Sequence, residues 1–308
     1  MNIFKPREEP IELSKLRLLH KRMILPNKDK QNFQSLLKGY EGEVMFDSYV
    51  EQMSSECIVL NDLLYSVNNS LLQIDSLVIT PENIHLFEIK NYEGDYYFES
   101  GQIFTMSDTE IINPLHQLSR SKYLFSQLLL DNGIKAPVIA SVVFVHPHFT
   151  LYQAPLDQPF VFPTQIKPYL NKMVSPFKRL NEKHWKIAEK LCSLHITESL
   201  FSLLPEYDFD KLKKGITCGK CEAFSVLLNG QECVCENCGF EESLSEAVVR
   251  SVKEFTILFP DHKITTTAIY EWCRIIPYKK KIKRILENHF EQVGENRWTY
   301  FRIKNNKT

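Results

Sequence analysis

Apolar and polar residues in the first half of the chain follow two periods, one typical of helices and one of strands. Between positions 31 and 52 apolar side chains recur every three or four residues, which predicts an amphipathic helix with Gly39 and Gly42 inside it. Glycine lowers helix propensity by about 1 kcal/mol relative to alanine, so a neighbouring backbone or ligand is expected close to this face. Residues 58–67 predict one strand, and residues 71–92 predict two more joined by a turn.

The stretch that follows completes an α/β pattern. Short strands are predicted at 96–98 and 102–104, and Asn113-Pro114 opens a long helix that ends at Asn132-Gly133. The apolar side of this helix is predicted to carry Leu115, Leu118, Tyr123, Leu124, Leu128 and Leu129. The continuous apolar run at 137–146 is typical of a strand buried on both faces. We therefore predict an α/β fold in which helices flank a mixed sheet.

Charged residues on the 71–92 hairpin are the first candidates for chemistry. If the turn holds an even number of residues, Asp75 lies opposite Glu88 and Gln73 lies opposite Lys90, all on one face. The other face is then buried and carries Leu72, Ile74, Val78, Phe87 and Ile89. Two carboxylates and an ammonium group are costly to place on an otherwise apolar strand pair, and a divalent metal ion would compensate them. The alternative is a mutual ion pair of Lys90 with either acid at the solvated end of a sheet.

Four short motifs in order carry a family resemblance. They are Gly39-Tyr-Glu-Gly-Glu43, Gln73-Ile-Asp75, Glu88-Ile-Lys90-Asn-Tyr-Glu-Gly94 and Asn113-Pro-Leu-His-Gln117. Over about residues 31–148 the set resembles the nuclease-related domain (NERD) family, a branch of the PD-(D/E)xK nuclease-like superfamily. The resemblance implies that the predicted core is a restriction-endonuclease-like mixed sheet.

The resemblance also implies a role for each site residue. Asp75 and Glu88 would bind Mg²⁺ or Mn²⁺, and Glu43 would add a ligand or orient one. Lys90 would position the attacking water and stabilise charge on the phosphate, and Gln117 would support the site. Helical spacing alone instead favours Glu43 as a solvated helix carboxylate, paired at most with residues around Asp47.

Charge and cysteine content narrow the function classes. The net charge of the 308 residues is −1, but from Ser243 onward 13 Lys and Arg stand against 7 Asp and Glu, a net +6. A basic C-terminal part suggests an anionic partner. No apolar run reaches the 18 residues of a membrane span, and the first 15 residues lack a signal-peptide core, so a cytoplasmic location is expected. Five of the eight cysteines lie between Cys218 and Cys238, which favours a metal over disulfides.

Two CxxC pairs form the strongest local motif. Their cysteines are Cys218, Cys221, Cys235 and Cys238, with 13 residues between the pairs. Four thiolates suit tetrahedral Zn²⁺ in a closed, structural site, and a hairpin with Asn229-Gly230 at its turn is expected between them. The pattern resembles a zinc ribbon, with a redox pair or core thiols as the alternative. Cys233 is a surplus thiol.

The C-terminal residues predict three helices and a hairpin, which look like a small winged helix. Phosphate contacts are expected from basic residues of the third helix and the wing: Lys279, Lys280, Lys281, Lys283, Arg284, Arg297 and Arg302. The alternative is a solvated basic helix in a protein-binding domain.

Together these patterns predict five segments and one leading function. The segments are an N-terminal arm or short helix (1–30), the nuclease-related domain (31–150), a helical linker (151–214), a zinc ribbon (215–242) and a winged-helix-like domain (243–308). The function is hydrolysis of phosphodiester bonds, in DNA, by a metal-dependent nuclease. The alternatives are a catalytically silent protein that binds nucleic acid or a partner, and an enzyme that acts on RNA.

Overall fold

The computed structural model describes residues 2–53, 56–173, 177–196, 204–295 and 298–304. The chain divides into two compact units, Met1–Glu9 with Gln34–Ser202, and Pro10–Phe33 with Leu203–Thr308. The helices are α1 (Ile11–Arg22), α2 (Asn27–Glu51), α3 (Pro114–Asp131), α4 (Ile166–Met173), α5 (Glu182–Leu194), α6 (Leu244–Leu258), α7 (Thr266–Cys273) and α8 (Lys279–His289). The strands are β1 (Asn2–Lys5), β2 (Ile58–Val67), β3 (Ser70–Ile79), β4 (Ile84–Lys90), β5 (Gly94–Glu99), β6 (Gln102–Thr105), β7 (Glu110–Ile111), β8 (Val138–Phe144), β9 (Phe149–Tyr152), β10 (Phe160–Val161), β11 (Val226–Asn229), β12 (Glu232–Cys235), β13 (Glu241–Ser243), β14 (Glu291–Val293) and β15 (Tyr300–Arg302).

A mixed six-stranded sheet is the centre of the first unit. Its strand order is β1-β2-β3-β4-β8-β10. The β2–β3 and β3–β4 pairs are antiparallel, whereas β1–β2, β4–β8 and β8–β10 are parallel. Two apolar clusters cover its two faces, one containing residues of α3 and α5 and the other containing residues of α2 and α4. This three-layer arrangement confirms the predicted α/β class.

The strand at 137–146 and the helix after Asn113 form as predicted, with two exceptions. β8 is buried from Ala140 to Phe144, because β4 and β10 flank it and helices cover both faces. At its start Ile139 is 40% exposed, so the predicted burial on both faces does not extend over the whole strand. The Asn113 side chain caps α3 by accepting a hydrogen bond from the Leu115 N–H at 3.0 Å. Tyr123, however, is 63% exposed, so its predicted place on the apolar side of α3 is wrong.

A second, four-stranded sheet was not predicted. Its order is β7-β6-β5-β9, so the short pair at 96–104 joins this sheet and not the main one. Residues 151–163, the proline-rich start of the segment predicted as a helical linker (151–214), contain the end of β9 and all of β10. Both strands pair with partners that are distant in sequence, which local composition does not reveal.

The second unit contains α1, the cysteine-rich hairpin and the C-terminal helices. Residues 2–22 thus hold a strand and a helix where the sequence suggested an arm or a short helix. Arg22 at the end of α1 is buried, lies 4.0 Å from the Trp272 ring centroid and pairs with Glu254 at 2.7 Å. Among the residues that the structure describes, no helix has the length and apolar character needed to cross a membrane.

Candidate active site and metal centre

The β3–β4 hairpin has the predicted turn. Ile79 pairs with Ile84, which leaves the four residues 80–83 in the loop. The same register extended along the strands sets Asp75 opposite Glu88, but the paired ladder ends at Ser76 and Phe87. Beyond that point the Asp75 carboxylate accepts a hydrogen bond from the Ile89 N–H at 2.7 Å. Where the two strands separate, the Asp75 side chain therefore accepts the hydrogen bond that a main-chain oxygen of β3 accepts in the regular ladder.

Strand β3 also changes its alternation just before Asp75 leaves the ladder. Leu72 and Ile74 belong to the same core cluster as Leu77 and Ile79, although a regular strand would place the two pairs on opposite faces. The predicted common face of Leu72 and Ile74 with Val78, Phe87 and Ile89 is therefore wrong, because the last three lie in the other cluster. All five side chains are nevertheless buried, as expected.

The irregularity has a visible cause in the neighbouring strand. Asn61 pairs with Ser76 and Leu63 pairs with Ile74, but Asp62 and Asp75 between them are not a ladder pair. Asp62 has φ +50°, a left-handed conformation that interrupts the pleat. Asp75 thus lies at a break in the β2–β3 ladder, where side chains no longer alternate regularly between the two faces of the sheet.

The structure brings Glu88, Lys90 and Gln117 together, with Lys90 and Glu88 forming an ion pair. The Lys90 Nζ atom donates hydrogen bonds to Glu88 Oε1 at 2.6 Å and to Gln117 Oε1 at 3.0 Å. Glu88 is 1% exposed, whereas Gln117 in the first turn of α3 is exposed. This end of the group is therefore open to solvent. Gln73 is exposed and pairs with Leu64 of β2, and the ladder does not extend to a Gln73–Lys90 pair.

Glu43 projects from α2 and is held by a residue that the sequence analysis missed. Arg7 Nη1 donates to Glu43 Oε2 at 2.5 Å, and the guanidinium also binds Asp47 at 2.8 and 3.1 Å. Arg7 Nη2 further donates to the main-chain oxygen of Asp75 at 2.8 Å. Arg7 lies 36 residues from Glu43 and follows a strand that pairs in parallel with β2, so no local signal marks it.

The three carboxyl groups interact electrostatically. Burial, then the Asp75 carboxylate, raises the pKa of Glu43 to about 8, against the opposing effect of Arg7. Burial, then Asp75, raises the pKa of Glu88 to about 7, against Lys90. Burial also raises the pKa of Asp75, although the Ile89 N–H and Lys90 oppose it. The raised pKa values mean that all three carboxyl groups ionise less readily than free ones when no cation is bound. Their oxygen atoms are the ligand type that a hard divalent ion prefers.

The described residues bring only one set of metal ligands into mutual contact. The ligand atoms of Cys218, Cys221, Cys235 and Cys238 all lie within 4.8 Å of one another. Within the described part of the chain no other group of three or more Cys, His, Asp or Glu side chains is this compact. Glu43, Asp75 and Glu88 are therefore neighbours without forming a closed three-carboxylate cage.

The cysteine set has the dimensions of a zinc centre. The Sγ atoms of Cys218 and Cys238 are 3.7 Å apart, and those of Cys221 and Cys235 are 3.6 Å apart. A tetrahedron with Zn–S bonds of about 2.3 Å has S–S edges of about 3.8 Å. The four cysteines are thus compatible with a zinc ribbon.

The hairpin between the cysteine pairs differs slightly from the prediction. Asn229 pairs with Glu232, so the two turn residues are Gly230 and Gln231 and not Asn229-Gly230. Gly230 has φ +64°, as a tight turn of this length requires. A third strand, β13, which the sequence did not reveal, pairs with β12.

The expected close approach to α2 occurs at Gly42 but not at Gly39, and the neighbour is a side chain and not a backbone segment. A Cβ atom at Gly42 would lie 2.5 Å from the Asn91 Cβ atom, whereas one at Gly39 would meet nothing within 4 Å. The Asn91 side chain donates to the Lys38 main-chain oxygen at 2.8 Å. The loop after β4, and with it the end of the strand that carries Lys90, is thereby packed against the helix that carries Glu43.

The basic residues of the second unit lie on α8 and β15. Lys279, Lys280, Lys283 and Arg284 are exposed, and so is Arg302. Lys281 is half-buried, and its Nζ atom donates to the Gly230 main-chain oxygen at 3.3 Å, next to the turn of the cysteine hairpin. Arg297 lies outside the described residues.

Comparison with known proteins points to the first unit. Searches of curated proteins and of solved structures each found no match. A family model described as a nuclease-related domain matches residues 38–145, and Arg7 lies outside that range. Residues 38–145, with Glu43, Asp75, Glu88, Lys90 and Gln117 among them, therefore belong to the nuclease-related domain (NERD) family.

Proposed function

We propose that the protein is a metal-dependent nuclease that hydrolyses phosphodiester bonds in DNA. The observation that carries the proposal is the convergence of Glu88, Lys90 and Gln117 beside Asp75, inside the domain that matches the nuclease-related family. Asp75 and Glu88 would hold Mg²⁺ or Mn²⁺, with Glu43 as a further ligand or as a residue that orients one. Such an ion, when bound, acidifies a coordinated water and offsets charge on the reacting phosphate.

The residues of the chain then have separate tasks. The Ile89 N–H holds the Asp75 carboxylate in place, and Gln117 steers the Lys90 ammonium group toward the solvent-facing edge of the site. Because the Lys90 pKa is raised by Glu88, against burial, Lys90 stays protonated and can stabilise the developing negative charge. Glu88 is partly protonated near neutral pH until a cation displaces that proton.

The second unit would supply affinity for the polyanion. The exposed basic residues of α8 suit phosphate contacts, and a structural Zn²⁺ in the four-cysteine set would stabilise the hairpin whose turn contacts Lys281. Neither element distinguishes ribose from deoxyribose. DNA is therefore proposed because the matched family is described as nuclease-related and because the helices and strands of residues 243–308 follow a winged-helix-like order.

A DNA-binding protein without cleavage activity is the second candidate. The observation in its favour is the 2.6 Å Lys90–Glu88 ion pair, in which the amine and the acid already neutralise each other. This arrangement satisfies both groups without a metal ion.

One assay separates the two functions. Purified protein is incubated with end-labelled duplex and single-stranded DNA and with Mg²⁺ or Mn²⁺, and Glu88→Gln and Lys90→Ala are assayed in parallel. Metal-dependent cleavage that both substitutions abolish supports the nuclease. Binding without cleavage under every metal condition supports the silent protein, and matched RNA substrates test the sugar.

A further inference from the structure

We propose that Arg7 is a positioning residue of the candidate nuclease site, and that the segment 2–7 is part of this site although it lies outside the matched residues 38–145. The inference deepens the proposed function and rests on it. It starts from the break in the β2–β3 ladder at Asp62 and Asp75.

The N-terminal segment is fixed at that break by its own basic side chains. β1 pairs with β2 in parallel, from Asn2 opposite Ile58 to Lys5 opposite Leu60. Lys5 Nζ then donates to the main-chain oxygens of Asn61 and Asp62, each at 2.8 Å. Two carbonyl groups next to the interrupted pleat are therefore satisfied by this segment.

Arg7 acts on the other side of the same break. Its Nη2 atom binds the main-chain oxygen of Asp75 and leaves that residue's carboxylate to the Ile89 N–H. Its Nη1 atom donates a hydrogen bond to Glu43, and its Nε and Nη2 atoms donate one each to the Asp47 carboxylate. One planar group thus links the strand that bears Asp75 to the helix that bears Glu43.

The energetic cost of this arrangement favours a positioning role. The Arg7 side chain is 3% exposed, and removing a guanidinium from water is unfavourable until hydrogen-bonding partners compensate it. A packed apolar side chain would fill the space without that cost. The guanidinium instead fixes the main chain of one candidate ligand and the side chain of another, and its hydrogen bond to Asp75 goes to the main-chain oxygen and not to the carboxylate.

The test uses variants that keep the charge or the guanidinium. Arg7→Lys retains the positive charge but cannot reach all three acceptors, and Asp47→Asn keeps Arg7 while weakening its grip. Arg179→Lys is the matched control, because Arg179 lies in the same unit, has a side chain 75% exposed and makes one ion pair, with Glu56. Asp47→Asn keeps the test informative if Arg7→Lys fails to fold.

Two measurements report on position and not on stability alone. The first is amide hydrogen exchange at Ile89, followed by NMR in the metal-free protein, with the Leu86 amide in the regular ladder as internal reference. The second is the affinity for Mn²⁺, measured by calorimetric titration. We expect Ile89 exchange to accelerate at least tenfold relative to Leu86, and Mn²⁺ affinity to fall about tenfold, in both test variants but not in the control.

Unchanged Ile89 exchange in Arg7→Lys and Asp47→Asn would overturn the proposal, as would Mn²⁺ affinity equal to that of the wild type in both. A cleavage assay of the wild type separates this outcome from failure of the proposed function. If the wild type binds Mn²⁺ but cuts no DNA, the nuclease proposal fails, while the Ile89 and Mn²⁺ data still judge Arg7. If the wild type binds no Mn²⁺, both proposals fail.

Discussion

Divalent-metal binding at the candidate site should depend strongly on pH, because the ion must displace protons from buried carboxyl groups. Glu88 has a pKa of about 7 in the metal-free protein. With that value, about one Glu88 in eleven is ionised at pH 6 and about ten in eleven at pH 8. Apparent Mn²⁺ affinity should therefore fall at least tenfold from pH 8 to pH 6. The fall becomes several hundredfold if Glu43, with a pKa of about 8, must also ionise.

Calorimetric titration with Mn²⁺ in two buffers of different ionisation enthalpy measures both quantities. It gives the affinity and the number of protons released at each pH. Glu88→Gln is the control variant, and it should show no Mn²⁺ binding at this site at either pH. A Mn²⁺ affinity that changes less than twofold between pH 8 and pH 6 would show that the ion does not displace a proton from Glu88.

The same pKa shift predicts how the metal-free protein responds to pH. A carboxyl group whose folded-state pKa is raised stabilises the fold fully below its unfolded value, and this stability is lost as pH rises through the folded value. For Glu88, from 4.5 to about 7, the loss is about 3 kcal/mol. Urea unfolding without divalent ions should show the loss between pH 5 and pH 8, and Glu88→Gln should reduce it.

Three further predictions concern packing, zinc and nucleic acid. In urea unfolding, Gly42→Ala should lower the free energy of unfolding by about 1–3 kcal/mol, because the new Cβ atom would collide with the Asn91 side chain. Gly39→Ala should raise the free energy of unfolding by about 0.4–1 kcal/mol, because its new Cβ atom meets nothing. Equal effects of the two substitutions would contradict this prediction. Cys235→Ser should lose the zinc detected by atomic absorption, while Cys233→Ala keeps one zinc per chain; the reverse would reassign the ligands. Lys280→Ala should weaken DNA binding and reduce by about one the slope of log affinity against log salt concentration. An unchanged slope would show that Lys280 of α8 contacts no phosphate.

Short-range patterns predicted much of the nuclease-related domain. The turn between β3 and β4 and the cap of α3 by Asn113 depend on a few adjacent residues, and both form as expected. Gln117 was expected at the site only from the family resemblance, and it meets Lys90 because α3 packs beside β4. The close approach at Gly42 could also be expected from the sequence, because glycine is unfavourable inside a helix unless a neighbouring group leaves no room for a side chain.

Long-range pairing explains what the sequence did not reveal. Arg7 reaches Asp75 only because β1 pairs with a strand more than 50 residues away. The strands β9 and β10 form through partners elsewhere in the chain, which overrides their loop-like composition. The change of faces around Asp75 was missed because the prediction assumed strict alternation, which the left-handed residue Asp62 breaks.

Anomalous diffraction from crystals of the protein soaked in Mn²⁺ would show whether Asp75 and Glu88 share one divalent cation. We expect a single strong manganese peak in the first unit, in contact with carboxylate oxygens of both residues at about the 2.1 Å typical of small hard cations. The peak should be absent in Glu88→Gln crystals. If fully soaked crystals hold no manganese there and the Lys90–Glu88 ion pair is intact, Asp75 and Glu88 do not form a metal site.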